Sequence, residues 1–434
     1  MGHYVEIALA GSDKFFDRRP GAGPDASLLH VRGGRAGLLV VAMLALVCGG
    51  IAPAAAQPTD GDRLRHAVEH LLASQSPSGL FLYDFDFLAG RSVDADNIVR
   101  QAGTAYILAE YNLHAHDPRV RLAIETTLEK LGGLSLPIGK SALQSALEQA
   151  RLLSLPIGRY KLRAGLERLG LLYRSSGDGK VISPDGGYLT AHTGATAVAL
   201  LAELQYQQAT GDNRFGASRS AWLKGLMSLR IPGRGFKVSP GLIDDTPFYD
   251  GEAWFALAYY NEVFPRDNSV ARILESLDAY LMTRYANDVK TGFYQWGAMA
   301  AARRLRATSN QKFVSFIRGQ VQTFLGMPRP NQWRGDNTCP DIEGLATAAM
   351  VLRAQGADRE LLERIEARLN EEMENLRHLQ IPPDASRMDF GQGVHLVSPK
   401  LRDFSGAFLE SRFRPYTRVD YTAHCVSAMV KLAR

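Results

Sequence analysis

The chain has 434 residues, 46% hydrophobic and 22% charged, an ordinary folded-protein composition with ample apolar material for a large core. Its 50 basic and 45 acidic residues leave a net charge of +5, with no run of Lys and Arg. Binding driven by nucleic-acid phosphates shows a clustered basic face, so the charge pattern argues against a nucleic-acid partner.

Residues 1–30 are polar and rich in Gly and Pro. Arg32 and Arg35 then precede an apolar run, Ala36 to Val47, and small residues end in Ala54-Ala55-Ala56-Gln57. A charged start, an apolar stretch and a small-residue site predict a signal peptide cleaved after Ala56. The expected location is therefore periplasmic or secreted, and Val31 is the initiator if its codon is GTG. The alternative is an uncleaved N-terminal anchor, the one membrane contact expected, although the run falls short of the ~20 apolar residues of a spanning helix. Bulky Val47 before Cys48 argues against a lipoprotein. Residues 1–56 are thus extension and signal, and 57–434 a single domain.

One pattern then repeats along the chain. A helix rich in Ala and Leu follows a Gly/aromatic/acidic loop, and a longer, more charged helix follows it. The first kind is predicted at Ile98–Leu113, Thr190–Gln208, Glu252–Val263, Phe293–Leu305, Ile342–Ala354 and Val419–Leu432. Small residues such as Gly103, Gly194, Ala256, Ala300 and Ala348 let these helices crowd, and a helix apolar nearly all round is an inner one. The charged partners, expected near 61–74, 117–132, 216–230, 268–286, 308–326 and 358–379, read as amphipathic outer helices. No sustained alternation of period two appears, so few or no strands are expected. Six inner and six outer helices make an all-α (α/α)6 toroid. Segment 133–178 breaks the period: LSLPIG occurs at Leu134–Gly139 and again at Leu153–Gly158, and each Pro should break a helix. It reads as an inserted helical segment.

The stretch GGYLTAHTGATAVALLAELQYQQATGDNRF resembles the repeat unit of α/α-toroid proteins: six-hairpin glycosidases, polysaccharide lyases and the C-terminal domain of D-glucuronyl C5-epimerases. The resemblance spans Asp60–Arg434 at the level of the repeat, and it implies the fold. No catalytic motif carries over residue by residue, and fold analogy alone does not establish function.

In such a ring the inner-helix N-termini crowd one end, where polar groups and helix dipoles converge. The first junction offers Tyr83, Asp84, Arg100 and Gln101 for gripping a sugar, the second Tyr188 and His192. The third, Asp244 to Trp254, is the densest acidic-aromatic cluster, with Asp250, Glu252, Tyr249 and Trp254. The fourth supplies Tyr294 and Trp296, and the fifth Asp341 and Glu343. The sixth adds Arg418, Asp420 and His424, whose arginines suit a carboxylate-bearing polysaccharide. Glycoside hydrolysis needs two carboxylates, about 5–5.5 Å apart for retention and about 6.5–9.5 Å for inversion. The favoured pair takes one member from Asp250/Glu252 and one from Asp341/Glu343, and the partner expected is an oligo- or polysaccharide, with no cofactor. Lyase or epimerase chemistry would instead use His192, Tyr421 or His424, and a non-catalytic glycan-binding scaffold is a third reading.

Cleavage after Ala56 removes Cys48 and leaves Cys339 and Cys425, which in an oxidising compartment point to one disulfide. The alternative is a zinc set of Asp336, Cys339, His424 and Cys425, as in prenyltransferase and cyclase rings. The spacing matches neither of those families, so no metal is expected.

Overall fold

The computed structural model describes residues 58–138 and 178–433, apart from 94–95, 243, 290–291, 328–335, 357–358 and 392. The predicted extension and signal, and most of the predicted insertion, lie outside the described residues. No helix of the described residues is long and apolar enough to cross a membrane.

Twelve α-helices appear among the described residues: α1 Asp60–Ser74, α2 Ile98–Ala115, α3 Pro118–Gly133, α4 Thr193–Thr210, α5 Gly216–Ser228, α6 Pro247–Val263, α7 Asn268–Arg284, α8 Phe293–Thr308, α9 Lys312–Gly326, α10 Cys339–Ala354, α11 Arg359–Leu379 and α12 Val419–Leu432. Local chemistry sets their starts. Thr59 and Asp62 form a reciprocal capping box at α1, and the Asn97 side chain accepts from the Val99 and Arg100 amides at α2. Thr246 caps α6, with Pro247 in the first turn where its missing N–H costs nothing. Gly211, at φ 71°, ends α4 in the left-handed conformation that glycine adopts without strain.

The inner helices close a cycle: α2 packs on α4, α4 on α6, α6 on α8, α8 on α10, α10 on α12, and α12 back on α2. Outside them, α3 covers α2, α5 covers α4, α7 covers α6, α9 covers α8, α11 covers α10, and α1 covers α12. The last inner helix thus takes the first helix as its partner, and this (α/α)6 toroid is closed by the two ends of the helical repeat. Burial explains the composition. Every residue of α4 from Thr193 to Tyr206 is buried, whereas α11 buries one stripe.

Since each outer helix returns the chain, all inner helices start at the same end of the ring. Three short antiparallel ladders trim the loops: β1 (Asp84–Asp86) with β6 (Tyr416–Arg418), β2 (Ser135–Pro137) with β3 (Lys180–Ile182), and β4 (Arg387–Asp389) with β5 (His395–Val397). The second ladder joins the two described ends of the predicted insertion.

Near the middle of the inner helices, aromatic rings fill the axis. Tyr106 of α2, Phe255 of α6 and Trp296 of α8 meet with centroids 5.8 to 6.4 Å apart. Tyr106 and Trp296 come from opposite sides of the cycle, so these rings floor any cavity opening at the helix starts. Beyond the floor lies a polar layer: Tyr259 donates to Gln205 (2.7 Å), Arg303 sits 3.6 Å from the Tyr259 ring centroid, and Lys431 pairs with Glu110 (2.7 Å).

Candidate active site at the mouth of the ring

The β1–β6 ladder sets Asp84 opposite Arg418 and brings the loop before α2 beside the start of α12. From the first turn of α2, Arg100 reaches this seam. Its Nε lies 3.0 Å from Asp420 Oδ2, and its Nη1 donates to the Tyr83 hydroxyl. Arg418 clamps the same carboxylate through Nη2 (2.8 Å) and lies 4.3 Å from the centroid of the Tyr421 ring. Burial would raise the Asp420 pKa, but Arg418 and Arg100 outweigh it and hold the group well below the usual carboxylate range. One turn further on α12, His424 Nδ1 donates to Glu343 Oε2 at 2.8 Å, with Glu343 only 1% exposed. Burial alone would lower the His424 pKa; Glu343, and more weakly Asp420, turn the shift upward.

The facing wall is different. Glu252, one turn inside α6, is 4% exposed, and its Oε2 is buried without a hydrogen-bond partner. Burial pushes its pKa up to about 8, and Arg100 is the charge that pulls the other way. The carboxyl rests over Gly194 of α4, where any Cβ would collide with Glu252 Oε2 and with the Tyr249 ring. Tyr249 meets His192 Nδ1 at 3.2 Å, at the first residue before α4. Burial pushes the His192 pKa down, against Asp185, and pushes the Tyr249 hydroxyl up. Trp296 lies across the axis, edge-on to the His424 ring with centroids 6.2 Å apart. Glu252, Tyr249, His192, Trp296, Glu343, His424, Arg100, Asp420, Arg418 and Tyr83 therefore belong to the ring interior or its mouth.

Several other expected site residues are taken up by neighbouring groups. Asp250 is fully buried, with Oδ1 accepting from the Phe236 amide and Oδ2 from the Tyr285 hydroxyl, both at 2.7 Å. It anchors the loop before α6, with both oxygens accepting hydrogen bonds there, a setting unlike the acid role expected of it. Trp254 is also fully buried; its indole donates to Asp278 (2.8 Å) and stacks on Phe293, so it offers no face to a sugar. Gln101 clamps both backbone groups of Phe81, and Asp84 is occupied by the Val93 amide and the Tyr416 hydroxyl. Tyr294 stacks on Phe324 at 4.9 Å and packs against Gly344, between helices. Tyr188 is half-buried beside Ile138, Val181, Ala191 and Leu229, and Asp341 is half-buried in the first turn of α10.

Glu410 went unforeseen. Its Oε1 accepts from Arg414 at 3.0 Å while its Oε2 is buried without a partner. Its place just ahead of Arg412, Arg414 and Arg418 was the available signal.

A disulfide joins Cys339 to Cys425, residues 86 apart with Cα atoms 4.8 Å apart. It ties the start of α10 to α12 immediately beside His424. With both sulfurs bonded to each other and His424 turned to Glu343, the set Asp336, Cys339, His424 and Cys425 is not assembled for zinc. Among the described residues no group of three or more His, Cys, Asp or Glu side chains is arranged to hold a metal ion.

No family model matches the sequence, and no curated protein matches it. Solved structures do match in fold. An inactive variant of the GH76A alpha-1,6-mannanase of Salegentibacter sp. HEL1_6, in complex with alpha-1,6-mannotetrose, superposes with a TM-score of 0.55 at 11% identity, covering 87% of this chain and 99% of that one. A sugar epimerase from a ruminal bacterium gives 0.54 at 11%, over 86% and 98%. Endoglucanase CelQ from Clostridium thermocellum, complexed with cellotriose, gives 0.52 at 11%, over 86% and 70%. At such identities the likeness is one of architecture, and what this chain shares with these proteins is the (α/α)6 toroid fold.

Proposed function

We propose that this protein is an exported glycan hydrolase that works at the mouth of its helical ring. The observation that carries the reading is Glu252: a carboxyl buried without a hydrogen-bond partner, one helical turn inside the ring, with its pKa pushed up to about 8. Such a group holds its proton at neutral pH, as a general acid for a leaving sugar oxygen must. Glu343 is the second carboxylate. The His424 N–H holds it in place, and it would accept the proton of the attacking water or attack the anomeric carbon itself. Glu252 donates its proton to the departing oxygen, water adds to the sugar, and both carboxyl groups return to their starting states. Export rests on the signal-like segment before Gln57. Support from outside the chain is the mannotetrose and cellotriose held by proteins of the same fold.

The test is a panel of oligosaccharides incubated with the full chain and followed by reducing-end release. The reading expects one glycan class to be cleaved, with Glu252→Gln and Glu343→Gln each removing the activity. Cleavage untouched by both substitutions would overturn the assigned pair. A second reading draws on the His192–Tyr249 contact, a base and a hydroxyl of the kind that proton abstraction beside a uronate requires. Unsaturated or inverted sugars in place of new reducing ends would select it.

A further inference from the structure

We propose that the mouth of the ring contains a subsite for a uronate carboxylate, contacted by Arg100, so that the glycan taken at Glu252 and Glu343 is an acidic one. This deepens the glycan reading above and rests on it. The argument begins with charge. On the α2–α12 wall two guanidinium groups, Arg100 and Arg418, share the single carboxylate of Asp420. Other described acids of this end are held by other groups: Asp84 by the Val93 amide and the Tyr416 hydroxyl, Glu343 by His424, Glu410 by Arg414, and Asp185 by Ser183, Thr190 and the Gly187 amide. Among the described residues, Asp420 is thus the one carboxylate within ion-pair distance of Arg100.

Of the two guanidinium groups, geometry singles out Arg100. Its Nε is held by Asp420 and its Nη1 by Tyr83, whereas Nη2 makes no hydrogen bond among the described residues. Its side chain is 19% exposed, against 12% for Arg418. A guanidinium fixed at two nitrogens keeps a planar edge of N–H groups for a carboxylate, and little ordering remains to be done when one arrives. A neutral sugar offers that edge only hydroxyls, and a hydrogen bond from a guanidinium to a carboxylate is roughly twice as strong as one between neutral groups. The subsite borders the acid: the Arg100 charge is felt by both Glu252 and Tyr249. Asp420 and Tyr83 are positioning residues for Arg100.

The experiment uses the full chain carrying Glu252→Gln, so that binding is read without turnover. Isothermal titration compares oligomers of galacturonate, glucuronate, mannuronate and guluronate with their methyl esters and with neutral manno- and cello-oligosaccharides. At least one acid should bind about tenfold or more tighter than its own ester, with the gap shrinking as salt rises. Adding Arg100→Gln should erase the gap, and Arg100→Lys should keep part of it; the lysine variant decides the matter if the glutamine variant fails to fold by circular dichroism. No binding by any acid, or esters binding as well as acids, overturns the subsite. Cleavage of neutral glycans by the native chain without acid preference would leave the hydrolase reading standing alone. Acid-selective binding without cleavage by the native chain would do the reverse.

Discussion

The two walls of the ring mouth hold their carboxyl groups in opposite ways. On the α12 side Asp420 and Glu343 are each met by a cation or a ring N–H, within a mesh of Arg100, Arg418 and His424. On the α6 side Glu252 sits among Tyr249, Gly194 and packed helices, with one oxygen given no donor at all. Both walls are buried, so burial alone does not set the state of a carboxyl group. Partners decide it: where donors converge the charge is kept, and where none reaches the proton is kept.

The largest expected effect tests the dry wall. Glu252→Gln preserves shape and removes the proton, so cleavage of whichever glycan the native chain cuts should fall about 10²- to 10⁴-fold. Stability should move the other way. The folded pKa of Glu252, about 8, lies above its ordinary 4.5, so the native state holds a proton that the unfolded chain gives up between those values. The stability associated with that proton is present below pH 4.5 and is lost as pH rises to about 8. Above pH 8 the glutamine variant should therefore be the more stable protein, by roughly 3–5 kcal/mol, as read by urea denaturation. A variant no more stable than the native chain at pH 8.5 would show that burial does not raise the Glu252 pKa and that the two walls are alike.

The next effect tests the clamped wall. His424→Ala removes the donor from a carboxylate that is 1% exposed. Removing one partner of a buried pair costs about 3–5 kcal/mol, so the variant should unfold at clearly lower denaturant. An unchanged urea midpoint would mean that the His424–Glu343 contact adds nothing to the fold.

Gly194→Ala asks how tightly the dry wall is packed. Its new methyl would meet the Glu252 carboxyl and the Tyr249 ring, and such overpacking costs about 1–3 kcal/mol. Because the displaced group is the proposed acid, cleavage should fall more than stability suggests, and the alkaline limb of the pH profile should shift as Glu252 reaches new surroundings. Full activity with an unchanged pH profile would show that Glu252 does not depend on this seat.

How much of this was legible in the sequence follows from register. The Ala- and Gly-rich inner helices announce the ring because a helix apolar on all sides has to be surrounded, and their starts fell within about a turn of the observed ones, save α6, which begins five residues before the expected Glu252. Junction chemistry named the right helices and, in part, the right side chains. Which member of a cluster faces the axis is decided by helical phase, and at about 100° per residue two neighbours separated by one residue point some 200° apart. Glu252 therefore faces the ring with Tyr249 and Phe255, while Asp250 and Trp254 face the outer layer. Pro247 marked the true start of α6; a helix opening at Glu252 would put that residue in the loop rather than inside the ring.

The smallest effect, Asp250→Asn, isolates that phase argument. Asp250 is two residues from the proposed acid, equally buried, and its own pKa is raised to about 6 by burial against the pull of Tyr285 and the Phe236 amide. By sequence it was as good a candidate as Glu252. In the structure both of its oxygens accept hydrogen bonds, and an asparagine can accept at only one, so about 1–3 kcal/mol of stability should go. Cleavage per folded molecule should stay near the native rate, and the alkaline limb attributed to Glu252 should stay where it was. A collapse of activity matching that of Glu252→Gln would place Asp250 on the reacting face and break the division between the ring interior and its outer layer.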